Sequence, residues 1–234
     1  MDGKNRLSKI LASAGVASRR ACEELIFSGK VMVNRKIVLV PQTIVSLKED
    51  EIVVDGQRIK AADQKVYYIL NKPEGYICSN KRLGSKRIVL DLFAPLRTRL
   101  FTVGRLDRGT SGLLIVTNDG HFAHKAIHPS SQIVKEYLVK TEQEISHDHL
   151  LSIDQGAFIE DAWVKPVKAA KVRRGTLKIA VMEGKKREVR ILVEKAGLTL
   201  VSLTRIRIGG LTLGSLPLGK WREMSEAEKL QIFR

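Results

Sequence analysis

The residues best suited to chemistry lie in the segment Gly104-Arg105-Leu106-Asp107-Arg108-Gly109-Thr110-Ser111-Gly112. Asp107 is flanked by two cations, Arg105 and Arg108, in a loop that contains three glycines. Neighbouring cations keep a carboxylate ionised when it is partly removed from water, which a nucleophile requires. The same spacing fits a loop aspartate that caps a turn or pairs with an adjacent arginine, and spacing alone favours this second interpretation. The residues by themselves leave both roles of Asp107 open.

Other familiar sites lack part of their pattern. Gly184-Lys185-Lys186 lacks the preceding glycine and the Ser or Thr of a phosphate-binding P-loop, and no Gly-x-Gly-x-x-Gly is present. His121, His124 and His128 fall at i, i+3 and i+7, but no nearby cysteine or spaced carboxylate completes a metal site. A Ser-His-Asp triad stays open but has no Gly-x-Ser-x-Gly elbow to support it. The sequence therefore predicts neither a metal nor a cofactor.

Length and composition indicate a globular chain with a proper core. The 234 residues are 44% hydrophobic, enough for one large domain or a small and a medium one. Apolar runs such as Leu113–Val116 are far shorter than the roughly 20 residues that span a bilayer. The first six residues do not resemble a secretory signal, and Cys22 and Cys78 are too few for a disulfide framework. We therefore expect a cytoplasmic protein without a membrane partner.

The charge distribution points to a polyanionic partner. Lys and Arg number 41 against 25 Asp and Glu, a net charge of +16. Basic blocks at residues 1–36, 81–108 and 163–210 are separated by neutral or acidic stretches, and residues 141–162 hold six acids and no Lys or Arg. This pattern favours basic patches that folding brings together, typical of a protein that binds nucleic acid.

The first 60 residues predict a small helix-and-strand module. Leu7, Ile10, Leu11 and Ala14 form one apolar helical stripe, and Ser18 is placed to cap a second helix that stops at Gly29. A hairpin is expected from Val31–Val33 and Ile37–Val40 around the Asn34-Arg35 turn, with Asp55-Gly56 turning between later strands. Basic side chains outside the apolar stripes are candidate phosphate contacts, although any one of them fits a solvated face. These residues are Lys9, Arg19, Arg20, Lys30, Arg35 and Lys36.

Residues 61–64 are a plausible linker, and strands outnumber helices after it. We expect a strand at Val66–Leu70 that stops at Asn71-Lys72-Pro73-Glu74-Gly75, and a helix from Asn118-Asp119-Gly120 to Ile127. Further strands are predicted at residues 113–117, 136–140, 170–172, 177–182 and 200–208, with a helix at 188–196. This pattern predicts an α+β domain, residues 61–234, with a mixed, mainly antiparallel sheet flanked by helices.

Residues 5–57 resemble the S4 RNA-binding domain. The motifs that carry this resemblance are Arg6-Leu7-Ser8-Lys9-Ile10-Leu11-Ala12, Ala17-Ser18-Arg19-Arg20-Ala21 and Gly29-Lys30-Val31-Met32-Val33-Asn34. The resemblance implies that residues 1–60 form a domain that binds folded ribosomal or transfer RNA. It implies nothing about chemistry.

The rest of the chain resembles the RsuA-like pseudouridine synthases, which isomerise uridines in ribosomal RNA. The motifs occur in the family's order: Leu70-Asn71-Lys72-Pro73-Glu74-Gly75, Gly104 to Gly120, His128-Pro129 with Lys135-Glu136-Tyr137, Glu183-Gly184-Lys185-Lys186-Arg187-Glu188-Val189-Arg190, and Arg205-Ile206-Arg207-Ile208-Gly209 with Leu216-Pro217-Leu218-Gly219-Lys220-Trp221-Arg222.

The resemblance implies a role for three residues. Asp107 is then the catalytic carboxylate, Arg190 the arginine that pairs with it, and Tyr137 the residue that stacks on the target base. A strand tyrosine packed in the core is the alternative for Tyr137. Further RNA contacts are expected from Lys72, for which a structural turn is an equal alternative, and from Arg105, Arg108, Lys185, Lys186 and Arg187.

One motif departs from the family. The family usually has Arg-Gln-Val-Arg-Arg-Met where this chain has Arg187-Glu188-Val189-Arg190-Ile191-Leu192, so the RNA contacts there are in question. The resemblance predicts a monomeric, cofactor-free enzyme acting on ribosomal RNA or an assembly intermediate, with large-subunit RNA slightly preferred to small-subunit RNA. A non-catalytic RNA-binding or ribosome-assembly factor with the same fold is the alternative.

Overall fold

The computed structural model describes residues 3–60, 64–82, 84–96 and 98–234, which divide into two compact units. One unit comprises the chain up to Lys65 together with Asn118–Gly120, and the other comprises Val66–Thr117 and His121–Arg234. Most of the expected linker, residues 61–63, lies outside the described residues. In the part of the chain that the structure describes, no helix is long and apolar enough to cross a membrane.

The two helices of the first unit begin where the apolar pattern predicts. They are α1 (Leu7–Ser13) and α2 (Arg19–Phe27). Leu7, Leu11 and Ile26 are fully buried in a core of their own. The Ser18 hydroxyl accepts a hydrogen bond from the Ala21 amide (3.1 Å), which satisfies an amide that the first turn of α2 leaves open. The predicted cap is confirmed.

Short strands complete the first unit: β1 (Asn5–Arg6), β2 (Val31–Val33), β3 (Lys36–Ile37), β4 (Ile44–Val45), β5 (Ile52–Val54) and β6 (Gln57–Arg58). Four of them form a sheet in the order β3-β2-β5-β6, and β1 pairs with β4. Asn34 and Arg35 have φ angles of 50° and 64°, as a two-residue hairpin turn requires. The predicted hairpin is confirmed, but its second strand ends at Ile37, so the extension to Val40 was wrong.

The second unit is built on a nine-stranded sheet with the main order β13-β14-β10-β15-β9-β7-β17. β16 pairs with β15, β8 pairs with β9, and only β15 and β9 run parallel among the described pairs. The sheet strands are β7 (Tyr67–Lys72), β8 (Phe101–Val103), β9 (Ser111–Thr117), β10 (Lys135–Thr141), β13 (Lys168–Arg173), β14 (Thr176–Val181), β15 (Leu200–Ile208), β16 (Leu211–Thr212) and β17 (Trp221–Glu223). The mixed, mainly antiparallel α+β architecture is confirmed.

Helices and a separate hairpin complete this unit. They are α3 (Gly120–Ile127), α4 (His147–Gln155), β11 (Ala157–Ile159), β12 (Ala162–Val164), α5 (Glu188–Lys195) and α6 (Glu226–Gln231), with 3₁₀ turns at Val89–Phe93 and Pro129–Ser131. The sheet has a core on each face. Leu114 and Val116 of β9 join the core that contains Leu192 of α5, while Leu113 and Ile115 join the core that contains Ala126 of α3. Because successive strand residues point to opposite faces, a strand buried on both sides is apolar throughout.

A row of residues crosses four strands of this sheet. Tyr137 of β10 lies opposite Arg205 of β15, Arg205 lies beside Gly112 of β9, and Gly112 lies opposite Lys72 of β7. Residues paired directly across strands present their side chains on the same face. The backbones of β9 and β15 approach closely at Gly112, where an added Cβ would lie 2.2 Å from the Arg205 carbonyl oxygen.

Substituting Gly112→Ala should therefore destabilise the second unit by about 3 kcal/mol or more, because β9 and β15 would have to separate. Gly112 also has a φ of +108°, which an alanine adopts only with strain. Thermal unfolding followed by circular dichroism measures the loss. The matched control is Gly120→Ala at the start of α3, where no heavy atom lies within 4 Å of an added Cβ. Equal melting temperatures for both variants would contradict the close-contact interpretation.

Candidate active site

The loop that carries Asp107 joins the end of β8 to the start of β9. Leu106 is buried in the core shared with α5, and its amide donates to the Cys78 sulfur (3.4 Å). Asp107 and Arg108, the next two residues, are exposed. The apolar neighbour therefore anchors the loop, and the carboxylate faces outward.

Lys72 supports this loop from inside the protein. It is the last residue of β7, its side chain is fully buried, and its ammonium donates to the carbonyl oxygens of Pro73 (3.1 Å), Asp107 (3.2 Å) and Thr110 (2.8 Å). Burial lowers the pKa of Lys72, while electrostatic attraction to Cys78, Glu74 and Asp107 acts in the opposite direction. The ammonium thus ties the two ends of the Asp107–Thr110 turn to the end of β7.

This geometry corrects one prediction. Lys72 cannot contact RNA phosphates as expected, because none of its surface is exposed. Its alternative, a structural role, is the correct one, although Lys72 belongs to β7 rather than to the turn that follows. Asn71 and Lys72 both extend the strand beyond its predicted end.

Arg190 fixes the same loop from the opposite side. It lies on α5, and one of its terminal nitrogens donates to the Gly109 carbonyl (2.7 Å) and to the Thr110 hydroxyl (3.2 Å). The expected ion pair between Arg190 and Asp107 is not formed in this structure, where no contact within 4 Å joins these two described residues. The physical reason is position: Arg190 reaches the end of the turn, where a backbone carbonyl faces it.

The Asp107 carboxylate consequently has no hydrogen-bond or ion-pair partner in the described part of the chain. Asp107 also forms no ion pair with Arg105 or Arg108, the flanking arginines that the sequence suggested as partners. Arg108 instead donates from Nε to the Gly75 carbonyl (3.4 Å), and the Gly75 amide donates to the Arg108 carbonyl (2.8 Å). Backbone contacts therefore hold the loop, while both carboxylate oxygens remain available to a ligand.

Tyr137 lies on the same face of the sheet and is only 9% exposed. Its cross-strand neighbours are Ile179 and Arg205, and its ring belongs to the core shared with α5. Within the described residues its phenolic oxygen makes no hydrogen bond. The ring is packed against the core on a face that also carries Arg205.

Two buried charged residues near this row were not identified as site residues from the sequence. Arg205 is 5% exposed, and its Nε donates to the Leu113 carbonyl (2.8 Å). Glu188 is 3% exposed and accepts hydrogen bonds from the amides of Gly184 (2.8 Å) and Lys185 (3.0 Å). Burial raises the pKa of Glu188, while those two amides act in the opposite direction. Their sequence motifs were recognised, but neither the position of Glu188 at the start of α5 nor that of Arg205 on β15 shows from the sequence that the side chain is buried.

The remaining predicted RNA contacts differ in accessibility. Lys185 is partly covered and pairs with Asp161 (3.1 Å). In the first unit, Arg19 approaches Glu23 (3.9 Å) and Lys30 approaches Asp55 (3.6 Å), both as exposed pairs worth little energy. The exposed predicted contacts are Lys9, Arg19, Arg20, Lys30, Arg35, Lys36, Arg105, Arg108, Lys186 and Arg187.

His121, His124 and His128 were considered as a possible metal site in the sequence. His124 and His128 place their ring centroids 5.1 Å apart. Among the described residues, no group of three or more His, Cys, Asp and Glu side chains is arranged to hold a metal ion.

Replacing Lys72 by methionine should destabilise the second unit by about 3 kcal/mol, because three carbonyl oxygens lose a charged donor. The variant also avoids the cost of burying an ammonium, but this gain offsets only part of that loss. Urea unfolding of Lys72→Met measures it, and Lys140→Met, an exposed lysine on β10, is the control. If the two variants unfold at the same urea concentration, Lys72 does not hold the loop.

Comparison with protein families identifies both parts of the chain. The S4 domain family matches residues 5–52, and the RNA pseudouridylate synthase family matches residues 66–195. The matched segments include the loop of Asp107, Tyr137 on β10 and Arg190 on α5.

Relatives that match nearly all of this chain agree with these family matches. A putative chloroplastic ribosomal large subunit pseudouridine synthase, SVR1, of Arabidopsis thaliana is 47% identical over 95% of this chain and 59% of its own length. Ribosomal large subunit pseudouridine synthase B of Bacillus subtilis (strain 168) is 36% identical over 95% of this chain and 93% of its own length. The crystal structure of a pseudouridylate synthase superposes with a TM-score of 0.70 at 27% identity, covering 97% of this chain and 99% of the other. The chain therefore belongs to the RNA pseudouridine synthase family, with an S4 domain ahead of its catalytic domain.

Proposed function

We propose that this protein converts a specific uridine of ribosomal RNA into pseudouridine, with Asp107 as its catalytic carboxylate. One observation carries the assignment of Asp107: its loop is held by Lys72, Arg190 and Cys78, while its carboxylate has no partner in the described chain. A carboxylate held in this way is oriented without being neutralised. The Bacillus subtilis and Arabidopsis relatives are named for the large ribosomal subunit, which favours large-subunit RNA over small-subunit RNA.

The conversion of uridine to pseudouridine requires few chemical groups besides one carboxylate. The bond between N1 and C1′ breaks, the uracil turns, and C5 bonds to C1′. The C5 proton leaves, and N1 takes up a proton. Atoms and electrons balance within the nucleoside, so the reaction itself needs neither a redox cofactor nor water as a reactant. Glycoside hydrolases normally need a second carboxylic acid to protonate the leaving group. A leaving uracil can spread negative charge over its own carbonyl groups, so one carboxylate acting on the ribose suffices.

The target base must leave its stack to reach this loop, at a cost of a few kcal/mol. Tyr137 is the proposed stacking partner, and stacking contributes roughly 1–3 kcal/mol per base. Arg190 is a positioning residue in this proposal, because it binds the backbone of the loop rather than the carboxylate. Flanking phosphates would contact Arg105, Arg108, Lys186 and Arg187, which are exposed.

The S4 domain supplies the second part of RNA recognition in this proposal. Its exposed cations Lys9, Arg19, Arg20, Lys30, Arg35 and Lys36 would neutralise phosphates of folded ribosomal RNA or of an assembly intermediate. We propose that the protein acts as a monomer in the cytoplasm.

The test of catalysis is Asp107→Asn, assayed by tritium release from ribosomal RNA transcripts labelled at C5 of uridine. The substitution removes the carboxylate but keeps the side chain's size, so release should fall at least about 10³-fold while RNA affinity changes little. Asp148→Asn, an exposed carboxylate in the first turn of α4, is the control and should keep full activity. A wild-type protein that binds the transcripts of both subunits but releases no tritium would instead be a non-catalytic RNA-binding or assembly factor.

The test of the S4 contacts is the double substitution Arg19→Gln, Arg20→Gln. If both arginines bind phosphate, the dependence of log affinity on log salt should become shallower by about 0.7–0.9 for each phosphate that is no longer neutralised. The matched control is Arg58→Gln, Lys60→Gln, which removes two exposed cations of the same unit that are not predicted to bind RNA. Equal salt slopes for the two double variants would show that α2 does not face the RNA.

A further inference from the structure

Arg205 has a hydrogen-bonding group that the protein does not use. The residue is only 5% exposed, and its Nε is occupied by the Leu113 carbonyl (2.8 Å). Its Nη2 is buried and has no hydrogen-bond partner in the described part of the chain. Leaving a buried donor unpaired costs about 1–3 kcal/mol, so such groups call for a specific explanation.

The surroundings of this group are rich in positive charge. The charge of Arg205 lowers the pKa of both Lys72 and Lys135, so the guanidinium lies near both ammonium groups. Those ammonium groups are occupied: Lys72 binds three carbonyls, and Lys135 donates to the carbonyls of Met182 (2.7 Å) and Glu183 (3.1 Å). No carboxylate of the described chain lies within 4 Å of Arg205. The unpaired donor therefore favours an acceptor oxygen that carries negative charge.

The register of the sheet places this donor beside the proposed base-stacking residue. Arg205 and Tyr137 are direct cross-strand neighbours with side chains on one face. On the other side of Arg205 lies Gly112, which has no side chain. The next residue in the row is Lys72, which holds the Asp107 loop. A base lying against Tyr137 would therefore have Arg205 as a neighbour.

We propose that Arg205 donates a hydrogen bond to a carbonyl oxygen of the target pyrimidine and stabilises the negative charge that forms there when the bond between N1 and C1′ breaks. This inference rests on the proposed function of the Asp107 site. Donors placed where charge develops, in a site shielded from water, contribute more in the transition state than in the ground state. The negative charge on the pyrimidine disappears again when C5 bonds to C1′ and the ring becomes neutral.

The experiment compares Arg205→Gln and Arg205→Lys with wild type in single-turnover tritium release at saturating C5-labelled ribosomal RNA. Both variants should lower the rate about 10²–10³-fold, the usual effect of losing such a donor. Lysine keeps the positive charge, but its single ammonium cannot stand both where Nε meets the Leu113 carbonyl and where Nη2 lies in the guanidinium. RNA affinity should change less than about threefold, because the interaction forms mainly after binding.

Arg207 offers a matched control on the same strand. Its guanidinium is fully engaged by the Glu136 carboxylate (2.8 and 3.1 Å) and the Gly209 carbonyl (2.8 Å). Arg207→Gln and Arg207→Lys should keep rates within about threefold of wild type. Melting temperatures are measured for all four variants, and if Arg205→Gln does not fold, the comparison of the two lysine variants decides.

Three results would overturn the proposal. Unchanged single-turnover rates in folded Arg205 variants would show that the donor does not act in the reaction. Weaker affinity with a shallower salt slope, and an intact rate, would assign Arg205 to a phosphate instead. Equal rate losses in the Arg205 and Arg207 variants, in step with their melting temperatures, would show that Arg205 is only a structural residue.

Absence of tritium release by the wild-type protein would reject the proposed function itself, and this result is distinguishable from the three above.

Discussion

The candidate site depends on the hydrogen bonds that the buried ammonium of Lys72 donates. Three carbonyl oxygens, from Pro73, Asp107 and Thr110, accept hydrogen bonds from it inside the protein. Carbonyl groups are acceptors only and cannot bind each other, and bulk water does not reach a fully buried Lys72. A flexible side chain with three donors can satisfy all of them, which a planar guanidinium could not do in the same directions.

The sheet makes this buried charge possible. β7 lies between β9 and β17, and the Asn71 backbone is held by Lys220 and Gly219, while its side-chain amide donates to the Leu216 carbonyl (2.8 Å). The last residue of β7 is therefore fixed in direction, and Lys72 must extend toward the loop that precedes β9. The same sheet brings Tyr137 and Arg205 into the row through Gly112, where β9 and β15 run parallel and close together. Secondary structure distant from the loop thus determines where its carboxylate points.

Local sequence patterns predicted those elements whose structure depends mainly on the residues within them. Examples are the Ser18 cap of α2, the Asn34-Arg35 turn and the apolar run Leu113–Val116 of β9. The α4 helix was missed because its exposed face is polar and it buries little beyond Ile153. β17 was missed because it has only three residues, and their strand structure depends on pairing with β7. Its Trp221 was recognised as part of a motif, although not as a strand.

Family resemblance named Asp107, Tyr137 and Arg190 as the residues of the candidate site, but the contacts that these residues make could not be predicted. Arg205 and Arg207 are two residues apart on one strand, and simple alternation would place them on the same face in the same surroundings. A register irregularity between Glu136 and Tyr137 separates them, so that Arg207 pairs with Glu136 and Arg205 lies opposite Tyr137. Such an irregularity arises from pairing between distant strands, and no local sequence signal announces it.

The absence of an Arg190–Asp107 pair has a chemical consequence. An ion pair would orient the carboxylate and also occupy it, so an incoming ribose would have to displace a guanidinium that is partly buried. Here Lys72 and Arg190 orient the loop through carbonyl oxygens and the Thr110 hydroxyl, and neither touches the carboxylate. In the proposed function, orientation and reactivity therefore depend on different atoms of the same loop. The negative charge of Asp107 in turn acts to raise the pKa of Lys72, against the effect of burial, although the ammonium contacts the loop only through carbonyl oxygens.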